Sequence, residues 1–249
     1  ADPEWRRRTV QARRRLAALL IAADAAAEAG PVLAEAIAEA KSAPLDAADR
    51  VLVAGDLIRL AGIALLDGDA ERSAATFAEA EATLRPAVAA DGKDAAARGE
   101  LALLLVGAAR AESRLGRHGE AIGGLEEAIR LLGELAAEAP DGPWRGEIAT
   151  AEDRLGDARD AAGDRPGAIA AYRASLAATL SPEPTLAGAL TREALAPLLE
   201  AEKRPDEARA VAREAIAVRR ALLAHAPDDA ASRSALVAVK STVPVGTCD

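Results

Sequence analysis

The sequence predicts an all-α protein whose ten or eleven helices form consecutive antiparallel hairpins. Three observations support this prediction. Ala, Leu, Arg and Glu dominate the 249 residues, and these residues favour helices because they lose little side-chain freedom there. Aromatic residues, which favour strands, make up only 2% of the chain. A sequence pattern also recurs every 40 to 48 residues, which is typical of stacked helical units.

The repeat is clearest in the middle of the chain. Residues 98–102 match residues 145–149 at an offset of 47, and the turn at Gly116 matches the turn at Gly163 at the same offset. Related turns follow Leu66 and precede Pro205. Gly supplies the left-handed conformation that ends a helix, and Asp or Pro then begins the next one. Each turn is therefore predicted to join the two helices of one hairpin.

Small residues recur at helical spacing after each turn, with a larger residue between them in three of the four repeats. A small residue also lies seven to eight positions before the turn, as in Leu155-Gly156. Such positions allow two helices to pack closely, so Ala121, Ala168 and Ala208 are predicted to be buried at helix crossings. The residues that follow the four turns are Ser73, Phe77 and Ala80; Ala121, Leu125 and Ala128; Ala168, Tyr172 and Ser175; and Ala208, Ala212 and Ala215.

This arrangement resembles the tetratricopeptide repeat (TPR). That repeat has Leu-Gly in its first helix, Gly at the turn, and small, aromatic and small residues in its second helix. The resemblance covers about residues 46–225. The period of 40 to 48 residues exceeds the usual length of about 34 and is similar to that of long-period repeats in bacterial signalling proteins. The resemblance implies a right-handed superhelical solenoid that binds other macromolecules.

The predicted repeat domain spans residues 1–241. Trp5 precedes Arg15-Leu16 by the same spacing as Trp144 precedes Arg154-Leu155, so the N-terminus is predicted to be a further hairpin. Its first helix is expected over 4–29, with a break at Gly30-Pro31 and a second helix over 31–42. The predicted parts are the hairpin 1–45, the repeats 46–92, 93–140, 141–182 and 183–227, a capping helix at 228–241, and a tail at 242–249.

Composition argues against several function classes. A net charge of −9 is unfavourable for general nucleic-acid binding, which needs a broad basic face. The two His residues lack metal-ligand spacing and a neighbouring nucleophile, so neither catalytic residues nor a metal or cofactor site is predicted. Cys248 is the only cysteine, so nothing requires an oxidising compartment. A cytoplasmic location is favoured and an extracytoplasmic one left open. The apolar runs are too short for a transmembrane segment.

Two Arg clusters, 6–8 and 13–15, lie near the N-terminus and are seven residues apart. The spacing predicts that they share one side of a helix. Two interpretations remain open. The clusters could form a solvated face, or they could contact anionic lipid or an acidic partner. Without these 15 residues, the rest of the chain carries a charge of about −13.

The resemblance also implies which residues line a ligand groove, because the inner faces of first helices form it in this family. Asp153, Asp157 and Asp160 have i, i+4, i+7 spacing and so share one helix face. They would form either a groove for a basic peptide or a solvated acidic stripe partly paired with Arg154 and Arg159. A face around Ile58 and Leu65 is the alternative surface. The implied groove residues are Arg110, Ser113 and Arg114; Thr150, Asp153, Asp157 and Asp160; and Glu193 and Glu200.

The sequence thus predicts a non-catalytic scaffold or regulatory module that binds a protein or peptide partner, which would be basic if the acidic residues form the groove. The alternative is the sensor or regulatory region of a larger bacterial signalling enzyme, such as a Ser/Thr kinase whose catalytic domain lies outside this chain.

Overall fold

The computed structural model describes residues 3–179 and 185–225, and these residues form ten α-helices and no strand. The all-α prediction is therefore confirmed. Consecutive helices pair as five hairpins. The helix that comes earlier in the sequence is the first helix of its hairpin, and the other is the second helix. The helices are α1 (Pro3–Ala22), α2 (Ala26–Lys41), α3 (Ala47–Leu66), α4 (Ala70–Ala90), α5 (Ala95–Arg114), α6 (His118–Glu138), α7 (Trp144–Ala161), α8 (Arg165–Ala178), α9 (Leu186–Ala201) and α10 (Pro205–His225).

The five hairpin turns share one backbone geometry. In each, a backbone N–H donates to the carbonyl five residues earlier, at N···O distances of 2.8 to 2.9 Å. One residue in each turn has a positive φ. This conformation reverses the chain and lets the backbone N–H groups of the turn donate to the last carbonyls of the preceding helix. Three of the turns use Gly for this purpose and two do not. The residues with positive φ are Asp24, Gly68, Gly116, Gly163 and Lys203.

The first turn corrects one sequence-based prediction. The break expected at Gly30-Pro31 is wrong, because α2 runs through both residues and the chain reverses at Asp24 instead. Asp24 takes a φ of 58°, which short polar side chains tolerate better than most. Gly30 is buried where α2 packs against Leu60 and Ile63 of α3. Its role is close packing rather than chain reversal.

The predicted small positions lie in the helix crossings. Ala121 and Ala168 are fully buried and Ala208 is 7% exposed, which confirms that prediction. Phe77 and Tyr172 occupy the aromatic positions between small residues and are also buried. The repeat pattern in the sequence therefore marks the positions at which paired helices contact each other.

The chain divides into two compact units at residues 140/141. Unit 1 holds α1 to α6, and unit 2 holds α7 to α10. The division coincides with the predicted boundary between the repeats 93–140 and 141–182. Within unit 2, Tyr172, Leu195, Leu199 and neighbouring apolar residues join α8, α9 and α10 in one core. The predicted capping helix at 228–241 and the tail lie outside the described residues.

Candidate functional site

The three aspartates of α7 lie on the side of the helix opposite Ala151, Leu155 and Ala158, and the buried Gly156 lies between the two sides. Ala151, Leu155 and Ala158 face the core, and the aspartates follow the same helical spacing on the other side. Asp153 is half-buried, whereas Asp157 and Asp160 are exposed. The shared face predicted from the spacing is therefore present in the structure.

Tyr172 of α8 contacts one of these carboxylates directly. Its hydroxyl donates a hydrogen bond of 2.8 Å to Oδ1 of Asp157. The pKa of Tyr172 is raised far above its usual value, first by burial, then by the hydrogen bond to Asp157 and by the charges of all three aspartates. A neutral hydroxyl therefore lies within the field of three carboxyl groups. The sequence indicated Tyr172 only as a packing residue.

Asp153 connects α7 to the next first helix. Its Oδ1 accepts a hydrogen bond of 2.6 Å from the hydroxyl of Thr191 on α9. Burial raises the pKa of Asp153, and the charge of Asp157 raises it further, while the bond from Thr191 and the charge of Arg154 act in the opposite direction. Burial is the largest of these effects. The ionised form of Asp153 therefore lowers the free energy of unfolding.

Residues of α9 repeat those of α7 at an offset of 40 residues. Glu193 and Glu200 correspond to Asp153 and Asp160, and the exposed Leu190 corresponds to Thr150. Glu193 accepts two hydrogen bonds, of 2.8 and 2.9 Å, from the buried guanidinium of Arg219 on α10. Its charge is therefore neutralised within the hairpin, whereas Glu200 is exposed. We use the name acidic face of unit 2 for Asp153, Asp157, Asp160, Leu190 and Glu200.

The two arginines predicted for the groove lie in unit 1 and do not belong to this acidic face. Arg114 donates a hydrogen bond of 2.6 Å to the carbonyl of Leu65, which fixes α5 to the end of α3. Arg110 is exposed on the same helix. Leu65 is only 4% exposed, so the alternative surface around Ile58 and Leu65 is closed at Leu65.

The Arg clusters do not share one side of α1, so that prediction is wrong. Consecutive residues of a helix point about 100° apart. Arg13 accordingly pairs with Glu35 of α2 at 3.2 Å, and Arg14 pairs with Asp56 of α3. Arg15 is exposed and has no ion pair or hydrogen bond within the described part of the chain. Only the positions exactly seven apart point in the same direction.

A buried charge cluster in unit 1 was missed by the sequence analysis. Asp56 is 1% exposed, accepts a short hydrogen bond from Arg14 and lies 3.5 Å from Arg59. Burial raises the pKa of Asp56, and the bond from Arg14 opposes this shift. A cleft of about 370 Å³ lies beside these residues and is also lined by Glu100, whose pKa is raised by burial. The available signal was a single carboxylate within the apolar stretch 51–66.

The packing of Gly156 against Tyr172 gives a direct test of this geometry. A Cβ at Gly156 would lie 2.6 Å from two ring carbons of Tyr172. Because the ring is buried, α7 and α8 would have to move apart. We expect Gly156→Ala to lower the free energy of unfolding by about 1–3 kcal/mol, measured by urea denaturation. Gly146→Ala on the same helix meets no atom within 4 Å and is the matched control. Equal stability of the two variants would contradict the predicted crossing.

The raised pKa of Asp153 predicts that the free energy of unfolding depends on pH. Its folded pKa is raised above 3.8, so folding favours the protonated form, and ionisation lowers stability as pH rises from 3.8 through the folded pKa. Asp153→Asn lacks this loss. We therefore expect its free energy of unfolding, relative to the parent, to increase between about pH 3 and about pH 7. Glu138→Gln is the control of opposite sign, because the hydrogen bond from Arg98 lowers the pKa of Glu138. An unchanged difference for Asp153→Asn would contradict the assignment.

Comparison with known proteins identifies the class of fold. No protein-family model matches the sequence, and no curated protein matches it. Solved structures do. BtubC (BKLC) from P. vanneervenii aligns with a TM-score of 0.67 at 19% identity, covering 88% of this chain and 90% of that one. The nearly identical TPR-like repeats of a kinesin light chain from Podosopora anserina align with a TM-score of 0.60 at 16% identity, covering 84% and 94%.

MamA from Desulfovibrio magneticus RS-1 is also similar, with a TM-score of 0.57 at 15% identity over 85% of this chain and 96% of that one. At these identities the likeness establishes the fold. The protein is an all-α helical-repeat protein with TPR-like hairpins, as the residue pattern predicted.

No described helix is both long and apolar enough to cross a bilayer. No group of three or more His, Cys, Asp or Glu side chains in the described ranges is arranged to hold a metal ion.

Proposed function

We propose that this chain is a non-catalytic scaffold that binds a basic segment of a protein partner at the acidic face of unit 2. The placement of three aspartates on one face of α7, one of which accepts a hydrogen bond from Tyr172, supports the proposal most strongly. Like charges at i, i+4 spacing destabilise a helix by about 0.2–0.5 kcal/mol per pair. Burial of Asp153 adds a further cost. A cationic ligand would offset both effects.

The surroundings of the carboxylates favour binding over catalysis. Asp153 and Asp157 accept hydrogen bonds from the neutral donors Thr191 and Tyr172, and Asp157 also lies 3.7 Å from Arg154, a half-exposed pair. The pKa of Tyr172 is raised, so its hydroxyl is a poor general base. Leu186 and Leu190, each about half exposed, add apolar area on α9 beside the charges. This mixture of apolar and acidic groups suits a basic amphipathic segment.

The alternative role, as the regulatory region of a larger signalling enzyme, stays a prediction. Both roles require a partner-binding surface. The acidic face would serve either one.

Capture from a native cell extract tests the proposal. The immobilised parent is compared with Asp157→Asn/Asp160→Asn/Glu200→Gln, in which three exposed carboxylates of the acidic face become neutral. A control of equal net charge, Glu120→Gln/Asp141→Asn/Glu202→Gln, changes exposed carboxylates elsewhere. We expect the parent and the control to retain a partner with a basic segment and the acidic-face variant to lose it. Retention of the same partner by all three proteins would contradict the proposal.

A further inference from the structure

Helix α1 exposes an apolar stripe that no described helix covers. Trp5 is 62% exposed, Leu16 48% and Leu19 68%. With Ala12, these residues recur at intervals of seven, four and three and so share one side of the helix. Arg15 borders the stripe. The other side of α1, which includes the buried Val10 and Ala17, packs within unit 1.

The same positions are covered in the later first helices. The Leu-Ala and Leu-Gly motifs align Leu16 with Leu155 and Leu195, which are 4% and 1% exposed. Leu19 aligns with Leu198, which is 7% exposed and packs with α8 in the core of unit 2. On α9 this stripe packs against α8, the second helix of the preceding hairpin. On α1 the aligned residues are also apolar, as on a helix-packing surface, but no described helix covers them.

The open stripe lies in a basic environment. Arg15, at the border of the stripe, has no ion pair or hydrogen bond among the residues that the structure describes. Within the described part of the chain, Arg8 pairs only with the exposed Glu4 of its own helix, and such exposed pairs are weak. A helix that covers this stripe would therefore gain from carrying carboxylates next to its apolar residues.

A lipid surface is a less suitable occupant. Helices that lie on membranes separate a continuous apolar face from a basic face, whereas Arg8 and Arg15 are interspersed with Trp5, Leu16 and Leu19. The chain beyond residue 15 also carries a charge of about −13, which an anionic bilayer would repel. A protein surface with alternating apolar and acidic groups fits the stripe better.

The chain itself carries such a surface. The acidic face of unit 2 combines the exposed Asp160 and Glu200 with Leu190, and Leu186 lies one turn away on α9. We propose that α1 of one copy docks on the acidic face of unit 2 of a second copy. Leu16 and Leu19 would pack against Leu186 and Leu190, with the arginines facing the carboxylates. This inference rests on the proposed function and names the basic segment that the acidic face binds.

The contact joins two different surfaces, so it is heterologous, and a pair of copies retains one free surface of each kind. We therefore expect assembly beyond the monomer of 25.4 kDa as concentration rises. Sedimentation velocity from about 5 to about 200 µM protein covers the affinity range of weak, transient contacts. The average mass should increase at about 50 mM NaCl and return to the monomer value at about 500 mM, because salt screens the charges.

Two variants separate the two surfaces. Leu16→Gln/Leu19→Gln changes the stripe, and Asp160→Lys/Glu200→Lys changes the acidic face; all four side chains are exposed, so the fold should persist, as circular dichroism would show. Each variant alone should associate at least about tenfold more weakly than the parent. Mixed together, they should form a one-to-one complex, because each contributes the surface that the other lacks. Leu66→Gln, at an exposed leucine on α3, is the control and should associate like the parent.

Three results would overturn the inference. The parent could remain monomeric at every concentration, either variant could associate like the parent, or the mixture could fail to form the complex. Binding of the monomeric parent to phosphatidylserine vesicles, lost in Leu16→Gln/Leu19→Gln, would assign the stripe to a membrane. If the parent does not self-associate but still captures a basic partner at the acidic face, only this inference is contradicted. If the parent neither self-associates nor captures a basic partner at that face, the proposed function is contradicted as well.

Discussion

Replacing Arg14 by Ala is expected to lower the free energy of unfolding by about 2–4 kcal/mol. The reason is that Asp56, 1% exposed, would keep only Arg59, at 3.5 Å, as a charged partner among the described residues. A buried carboxylate without a close cation is costly, because burial already raises its pKa. Urea unfolding followed by circular dichroism measures the change.

The neighbouring Arg13 is the control for this prediction. Arg13 pairs with the exposed Glu35, so Arg13→Ala should cost no more than about 1 kcal/mol. Adding Asp56→Asn to Arg14→Ala should recover part of the lost stability, since it removes the unpaired charge. Equal effects of Arg14→Ala and Arg13→Ala would show that the buried pair contributes nothing specific.

Replacing Ala168 by Leu is expected to cost about 1–3 kcal/mol through overpacking. Ala168 is fully buried in the core that includes Leu195 and Leu199, and a longer side chain would push α8 away from its neighbours. Ala170→Leu places the same side chain at an exposed position of α8 and should leave the midpoint of unfolding nearly unchanged. If the two variants melt alike, Ala168 does not lie at a helix crossing.

The hairpins could be predicted from the sequence because their determinants are local. Gly68, Gly116 and Gly163 mark turns by their backbone freedom, and small residues at fixed spacing mark the crossings. The first turn was misplaced because Asp24 adopts the left-handed conformation without Gly. Pro31 gave a misleading signal, since a helix held by packing tolerates the loss of one backbone hydrogen bond.

The candidate site was only partly predictable for a different reason. The i, i+4, i+7 spacing is enough to place three aspartates on one face of α7. It does not reveal that Glu193 is paired with Arg219, that Tyr172 donates to Asp157, or that Arg14 pairs with the buried Asp56. Those contacts join residues 15 to 42 positions apart. They depend on how the helices cross, and one-dimensional spacing carries little information about that.

The measurement closest to the central claim is the salt dependence of partner binding at the acidic face of unit 2. The affinity of the partner captured from the extract is determined between about 50 and about 500 mM NaCl for the parent and for Asp157→Asn/Asp160→Asn/Glu200→Gln. Each exposed pair contributes about 0.2–1 kcal/mol, so several acting together should give a clear slope in the parent. We expect that slope to be shallower in the variant, with weaker binding at low salt. A salt-independent affinity, equal in both proteins, would contradict the claim that this face binds a basic partner.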